Sequence, residues 1–554
     1  MILLVTHVTD DPMARLHAAV VVRHSSPDDC GASDARAAWL QSSWLWLVAM
    51  VLTAVPLVLP PVAPLTDLGG HLGHYAVQLD HGRSADLARW YSFRWNLVPN
   101  LGVDLLMEAL APLLGLEPAL RLVAAAIPML QVLGILCLAR AVQGRITPLA
   151  LFALPLAYCY PLHFGFLNFV LGQALATLAL ALWIAMGRRG WIAARWALFV
   201  PLSSLLWACH LVAWAMLCVF AGMDELARRW RPGQWWDWRV LLRAGLAASC
   251  LVAPQILRLL VPLPPSGHGA TEDFFNPAMK LTYLLMPLRD RWLVWDVAGA
   301  AILLALVGWS IRRRASGILT GPSRGLWWAI ALLCVVYLLL PATLIGASLV
   351  DMRLVPLVLI VALVVARPRY AAGGALSWAG LARWGAAFAM ARILGNALSL
   401  WLAGHELAAD LVALDSVPRG SRVASLVVEP CVVSILPWQR ERRTHLGGYA
   451  IARRHAFSNE QWMVPGGHLL KVNAPLAGAF ATDDSEFAKL DSCDKPNTIS
   501  RRLAALPHDA FDYIWILDTD RVRAVAGAVP VRRTRASVLY RIITPPRAIY
   551  KFST

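Results

Sequence analysis

The sequence predicts a polytopic α-helical membrane protein of about eleven transmembrane helices with a C-terminal soluble α/β domain. Three observations predict it. Charge is scarce: 58% of the 554 residues are hydrophobic and 15% charged, against about 25% charged in soluble domains. The charges also collect in short patches between apolar runs of roughly 18–25 residues, long enough to cross a hydrocarbon layer of roughly 30 Å. Finally, the texture changes near residue 404, where charges rise, four of the five lysines appear and short β-rich runs replace the long apolar ones.

The spans expected from these runs are 39–59, 119–141, 147–163, 166–186, 195–209, 211–227, 241–261, 294–311, 325–349, 352–366 and 384–403. They are helices because no water in the bilayer core can satisfy backbone N–H and C=O groups. Residues 1–38, with five aspartates and no signal-peptide pattern, are expected to form a disordered cytoplasmic tail. Residues 39–403 are expected to form the transmembrane domain, with long outer loops at 60–118 and 262–293. In the first loop Leu68–Leu79 and Val103–Leu114 show helical spacing. There Gly69, Gly70 and Gly73 weaken the helix reading, and Asp104 and Glu108 read as exposed. Residues 404–554 are expected to form the outer α/β domain, with strands at Arg422–Val428, Asp512–Leu517 and Ser537–Ile543.

Orientation follows from arginine in the short connections. Arg140 and Arg145, then Arg188, Arg189 and Arg195, then Arg228, Arg229 and Arg231, then Arg312, Arg313 and Arg314, then Arg367 and Arg369 mark every second connection. The N-terminus is therefore expected in the cytoplasm and the C-terminal domain outside, in a bacterial inner membrane. The net charge of +16 reads as loops meeting the anionic lipid bilayer rather than nucleic acid. Cys431 and Cys493, in an oxidising compartment, are candidates to pair.

Candidate chemistry lies where ionisable residues sit at membrane level, because placing them there is costly. Asp67, His71 and His74 fall at spacings of four and three; on a helix they share one face. That set reads either as a catalytic carboxylate with imidazoles, or as an N-cap aspartate with interfacial histidines. A divalent metal on Asp67, His71 and His74 is a further option, and two or three ligands from one helix do not identify an ion. Asp351 and Arg353 between two spans are either a structural ion pair or a phosphate grip. His163 and His210 stand at outer helix junctions, and Lys280 and Arg258 near the second outer loop could bind an anionic headgroup. Asp518 and Asp520 form a DxD that reads mainly as a turn.

Pro64–His71, Gly165–Gly172 and Asp351–Leu354, with the early acid of the first loop and the outer C-terminal domain, resemble the GT-C superfamily of integral membrane glycosyltransferases, in an uncharacterised bacterial branch. The resemblance implies transfer of a sugar from a polyprenyl phosphate to an extracytoplasmic glycan, lipid or protein. It implies Asp67 as general base and Arg353, with Lys280 or Arg258, on the carrier phosphate. The sequence departs from the family's paired acidic motif, since Asp67 has no acidic neighbour. The rival reading is a transporter, flippase or scaffold for surface polysaccharide; few charges fall inside the apolar runs and no inverted repeat is evident, which favours the enzyme.

Overall fold

The computed structural model describes residues 37–543, apart from 232–236, 261–270, 314–322, 369, 371–374, 430–437, 440–441, 464–467, 483–486, 494–496 and 518–523. Most of the expected N-terminal tail, Cys431, the start of the second outer loop and the DxD at 518–520 lie outside the described residues.

The first two thirds of the chain is helical. Its helices are α1 (Ser43–Val58), α2 (Leu68–Asp80), α3 (Gly102–Leu114), α4 (Leu116–Gln143), α5 (Pro148–Ala153), α6 (Tyr160–Phe164), α7 (Leu167–Arg188), α8 (Ile192–Cys209), α9 (Leu211–Arg229), α10 (Trp238–Ala248), α11 (Ala253–Leu260), α12 (Pro277–Leu285), α13 (Leu293–Arg312), α14 (Arg324–Leu339), α15 (Leu354–Val365) and α16 (Trp378–Leu411). Among the described residues six helices are long and apolar enough to span a membrane, and four shorter apolar helices accompany them. The protein is a multi-pass membrane protein.

Burial sorts these helices. In α4 and α7 about two thirds or more of the apolar window is buried, 67% and 78%, whereas α13 buries 28%. The first two form the centre of the bundle, and α13 presents Leu293, Val294 and Ile302 outward. Such a continuous apolar exterior is stable against lipid tails rather than water.

The glycines of the loop at 60–118 do not break its helix. Leu68–Asp80 is helical throughout, and the reason is tertiary. α2 crosses α17 (Gly448–Arg454) of the C-terminal domain backbone to backbone. A Cβ at Gly448 would lie 2.0 Å from the Gly69 carbonyl oxygen, and one at Gly69 would lie 2.1 Å from that of His445. A Cβ at Gly70 would meet the Trp462 ring at 2.4 Å. Packing at this distance outweighs glycine's low helix propensity, which costs about 1 kcal/mol per residue.

The C-terminal domain is a mixed sheet ordered β3-β2-β6-β8-β7, with β5 also on β2. Its strands are β2 (Arg422–Glu429), β3 (Phe457–Ser458), β5 (Phe487–Lys489), β6 (Tyr513–Leu517), β7 (Ala528–Arg533) and β8 (Ser537–Ile542). β2 pairs in parallel with β3, β5 and β6, while β8 runs antiparallel to β6 and β7. β2 and β6 are nearly continuous runs of buried residues, as strands covered on both faces must be. A separate ribbon joins β1 (Tyr91–Phe93) of the loop at 60–118 to β4 (Leu470–Val472). The loop and the C-terminal domain thus share both a helix crossing and a strand pair.

Gly448→Val should disrupt this junction and lower the thermal unfolding temperature of the detergent-solubilised protein, through overpacking of about 1–3 kcal/mol or more. Gly222→Ala, where an added Cβ meets nothing within 4 Å, should leave it unchanged or slightly raised.

Candidate functional site

Thr66 and Asp67 enter the bundle at the end of α6. Their N–H groups donate to the carbonyls of His163 and Phe164, at 3.2 and 2.9 Å, satisfying C-terminal acceptors that a helix leaves open. Gly165 makes the approach possible. It holds φ +100°, and a Cβ there would lie 2.8 Å from the Asp67 nitrogen. The carboxylate of Asp67 is buried and makes no capping bond to the start of α2. The N-cap reading of this residue therefore does not account for it. Its oxygen lies 3.9 Å from His445 Nε2, and its charge reaches the Arg353 guanidinium.

Arg353 precedes α15 and rests over the rings of Phe166 and Phe169, at 4.3 and 5.7 Å. One end donates to the Ser348 carbonyl at 2.9 Å; another lies 3.4 Å from His210 Nε2. The opposite nitrogen of His210 accepts from the Val212 N–H and caps α9. The arginine does not pair with Asp351. That aspartate takes Lys280 instead, at 2.5 Å, and the same ammonium donates to the Leu340 carbonyl at 2.7 Å. Lys280 and Asp351 thus neutralise each other inside the bundle, and Arg258 is exposed on α11. His163 also goes elsewhere: its Nδ1 lies 3.6 Å from Asp290, which is ion-paired with Arg442.

One turn beyond Asp67, His71 and His74 line a small cleft with Tyr75, Asn100, Asp104, Asn168, Trp462 and His468. Asp104 is buried here rather than exposed. It sits 3.0 Å from His74 Nε2 and accepts from Asn168 Nδ2 at 3.2 Å; these partners hold its carboxyl below the usual range against the effect of burial. Burial, with His74 beside it, lowers His71 to about 3. Burial lowers His468 to about 4. Both are neutral imidazoles at physiological pH. His74 is directed to Asp104, not to Asp67. Among the described residues no group of three or more His, Cys, Asp or Glu side chains is placed to hold a metal ion, so the metal option for Asp67, His71 and His74 has no geometric support.

Sequence reasoning missed the contribution of the C-terminal domain. His445, Glu460, Trp462 and His468 come to this junction from residues nearly four hundred positions away in the chain. The available signal was the unusual run Ser458-Asn459-Glu460-Gln461. All four are buried, and Asn459 clamps both polar groups of the Ser425 backbone, at 2.7 and 3.0 Å.

No family model matches the chain, and no curated protein matches it. Two solved structures do. In layout the chain is similar to ArnT from Cupriavidus metallidurans. The structure bound to undecaprenyl phosphate is 15% identical with a TM-score of 0.47, covering 91% of this chain and 99% of that one. The apo structure is 14% identical with a TM-score of 0.46, covering 92% and 100%. Neither likeness assigns an activity.

The two neutral imidazoles carry a pH prediction. An exposed histidine titrates near 6.5. Between about pH 6.5 and 4 the unfolded chain binds protons that His71 and His468 refuse, so stability falls as pH falls. Unfolding temperature should drop between pH 7 and pH 5, and the drop should be smaller in His71→Gln and in His468→Gln.

Proposed function

We propose that the chain is an integral membrane glycosyltransferase of GT-C type. It moves a sugar from a polyprenyl-phosphate carrier to a glycan, lipid or protein acceptor at the outer face of a bacterial inner membrane. The observation that supports this best is the placement of one buried carboxylate, Asp67, within electrostatic reach of one guanidinium, Arg353.

Inverting sugar transfer needs two opposed functions. A base takes the proton of the acceptor hydroxyl, and a cation stabilises the departing phosphate. Asp67 and Arg353 supply them. Arg353 suits the second role because a planar guanidinium meets two phosphate oxygens at once, and its bed of Phe166 and Phe169 also suits an isoprenoid next to the headgroup. The Ser348 carbonyl steadies the guanidinium. Lys280, neutralised by Asp351, sets the position of Arg353 rather than holding phosphate itself. His71 and His74 face the cleft, where they take the acceptor.

The orientation proposed is N-terminus in the cytoplasm and C-terminal domain outside. The alternation of arginine-rich connections supports it. So does Cys493, which is disulfide-bonded, as suits an oxidising compartment.

Asp67→Asn should lower transfer from an undecaprenyl-phosphate-linked hexose by about 10²–10⁴-fold, the usual contribution of a general base. Binding of undecaprenyl phosphate should persist. Unchanged turnover removes the catalytic role. Arg353→Ala should instead weaken undecaprenyl phosphate binding. A periplasm-dependent reporter fused after Thr554 should be active; activity from a cytoplasmic reporter at that place overturns the orientation.

A further inference from the structure

Residues 59–67 join α1 to α2 and carry Pro60, Pro61 and Pro64, which remove backbone donors that a helix would use. Residues 62–67 are buried, so their backbone polar groups need partners, and several of these lie outside the segment. Thr66 and Asp67 donate to the carbonyls that close α6. The Pro64 carbonyl accepts from Arg442 Nη1 at 2.6 Å. The second terminal nitrogen of that guanidinium pairs with the buried Asp290. Asp290 is held in turn. Its N–H donates to Asp296 Oδ2 of α13 at 2.9 Å, and Asp296 Oδ1 accepts from Arg392 of α16 at 2.9 Å. Arg442 therefore ties the segment before α2 to the frame of α13 and α16.

The same stretch of the C-terminal domain meets the chain again on the other side of Asp67. A Cβ at Gly69 would lie 2.1 Å from the His445 carbonyl oxygen, and one at Gly448 would lie 2.0 Å from the Gly69 carbonyl oxygen. Asp67 stands between these two contacts, three residues after Pro64 and two before Gly69.

We propose that residues 442–448 bracket Asp67, with Arg442 as its positioning residue, so that the C-terminal domain sets the place of the membrane domain's carboxylate. This rests on the catalytic role proposed for Asp67. Arg442 acts through the Pro64 backbone and exchanges no proton with substrate. A base works only within hydrogen-bond reach of the proton it takes, and a misplacement of about 1 Å costs about 10²-fold in rate. A guanidinium suits the task because its donors form a rigid fork: with one prong on Asp290, the other fixes where the Pro64 carbonyl sits. Lysine, with its donors on one atom at the end of a flexible stem, would hold the two partners less rigidly.

Hydrogen exchange tests the clamp without any donor present. In nanodiscs, Arg442→Gln should make the Thr66 and Asp67 amides exchange at least about tenfold faster, with amides at the centres of α4 and α7 unchanged. Unchanged exchange at Thr66 and Asp67 overturns the proposal. With an undecaprenyl-phosphate-linked hexose as donor, Arg442→Gln should lower kcat by about 10–100-fold while KM stays within about twofold, and Arg442→Lys should recover part of kcat. Added to Asp67→Asn, Arg442→Gln should cause no further loss of the residual transfer. A further loss of the same size shows that the arginine acts independently of Asp67 and overturns its positioning role. Arg442→Gln leaves the buried Asp290 without this cation, so it is paired with Asp290→Asn where the single variant unfolds. That double variant should keep the wild-type unfolding temperature and show the same loss in kcat; full kcat in it overturns the proposal. If Asp67→Asn keeps full turnover, the transferase reading fails and takes the positioning role with it, even where faster exchange shows that Arg442 holds the segment.

Discussion

The close crossing of α2 and α17 is the contact on which the rest of the arrangement depends. Both helices are short, and neither is apolar enough to bury itself alone. Glycines on both sides let the backbones touch, so that dispersion and carbonyl contacts replace side-chain packing. The geometry has little tolerance, since a single methyl group meets a backbone oxygen. That intolerance has a consequence for chemistry. The N-terminal end of α2, with Asp67, is fixed in relation to His445 and Trp462 far more tightly than a loop residue normally is.

Around this crossing the junction is laced with buried ions. Arg442 pairs with Asp290 and donates to the Pro64 carbonyl at 2.6 Å; Arg443 meets Asp410 at 2.6 Å; Arg392 meets Asp296 at 2.9 Å, and Trp438 donates to the same aspartate at 3.0 Å. A buried pair gives little net stability relative to well-packed apolar groups, yet losing one partner costs about 3–5 kcal/mol. Such pairs therefore act chiefly on specificity: a register in which Arg442 misses Asp290 is heavily penalised. They also change the case against a transporter. Charges do occur within the bundle, and among the described residues Asp296 and Arg392, Lys280 and Asp351, and Arg195 and Glu225 are each paired.

Much of the helical layout was legible because the membrane imposes a simple rule on composition. The run expected at 166–186 is α7, and that at 294–311 is α13. Strands at Arg422–Val428 and Asp512–Leu517 were legible for a related reason: their short apolar runs do not alternate with polar residues and so read as buried, as they are. What the sequence could not show was which polar residues meet. Asp351 stands two residues from Arg353, but the backbone between them turns into α15 and sends the carboxylate to Lys280. Asp104 read as exposed because its partners, His74 and Asn168, lie 30 and 64 positions away. Gly69, Gly70 and Gly73 read as helix-weakening because local propensity carries no information about a partner nearly four hundred residues later.

Two aspartates of the loop at 60–118, Asp67 and Asp104, are buried within the same junction, and their surroundings differ. Asp104 is saturated. It meets His74 and accepts from Asn168, and a carboxyl held below its usual range is a poor proton acceptor. Asp67 makes no capping bond, faces an imidazole across a gap longer than a hydrogen bond, and shares its field with a guanidinium set among phenylalanines. A base must be ionised yet able to gain a proton without dismantling its own support. Of the two, Asp67 is the one whose backbone is anchored directly, by the hydrogen bonds of Thr66 and Asp67 to the carbonyls of His163 and Phe164.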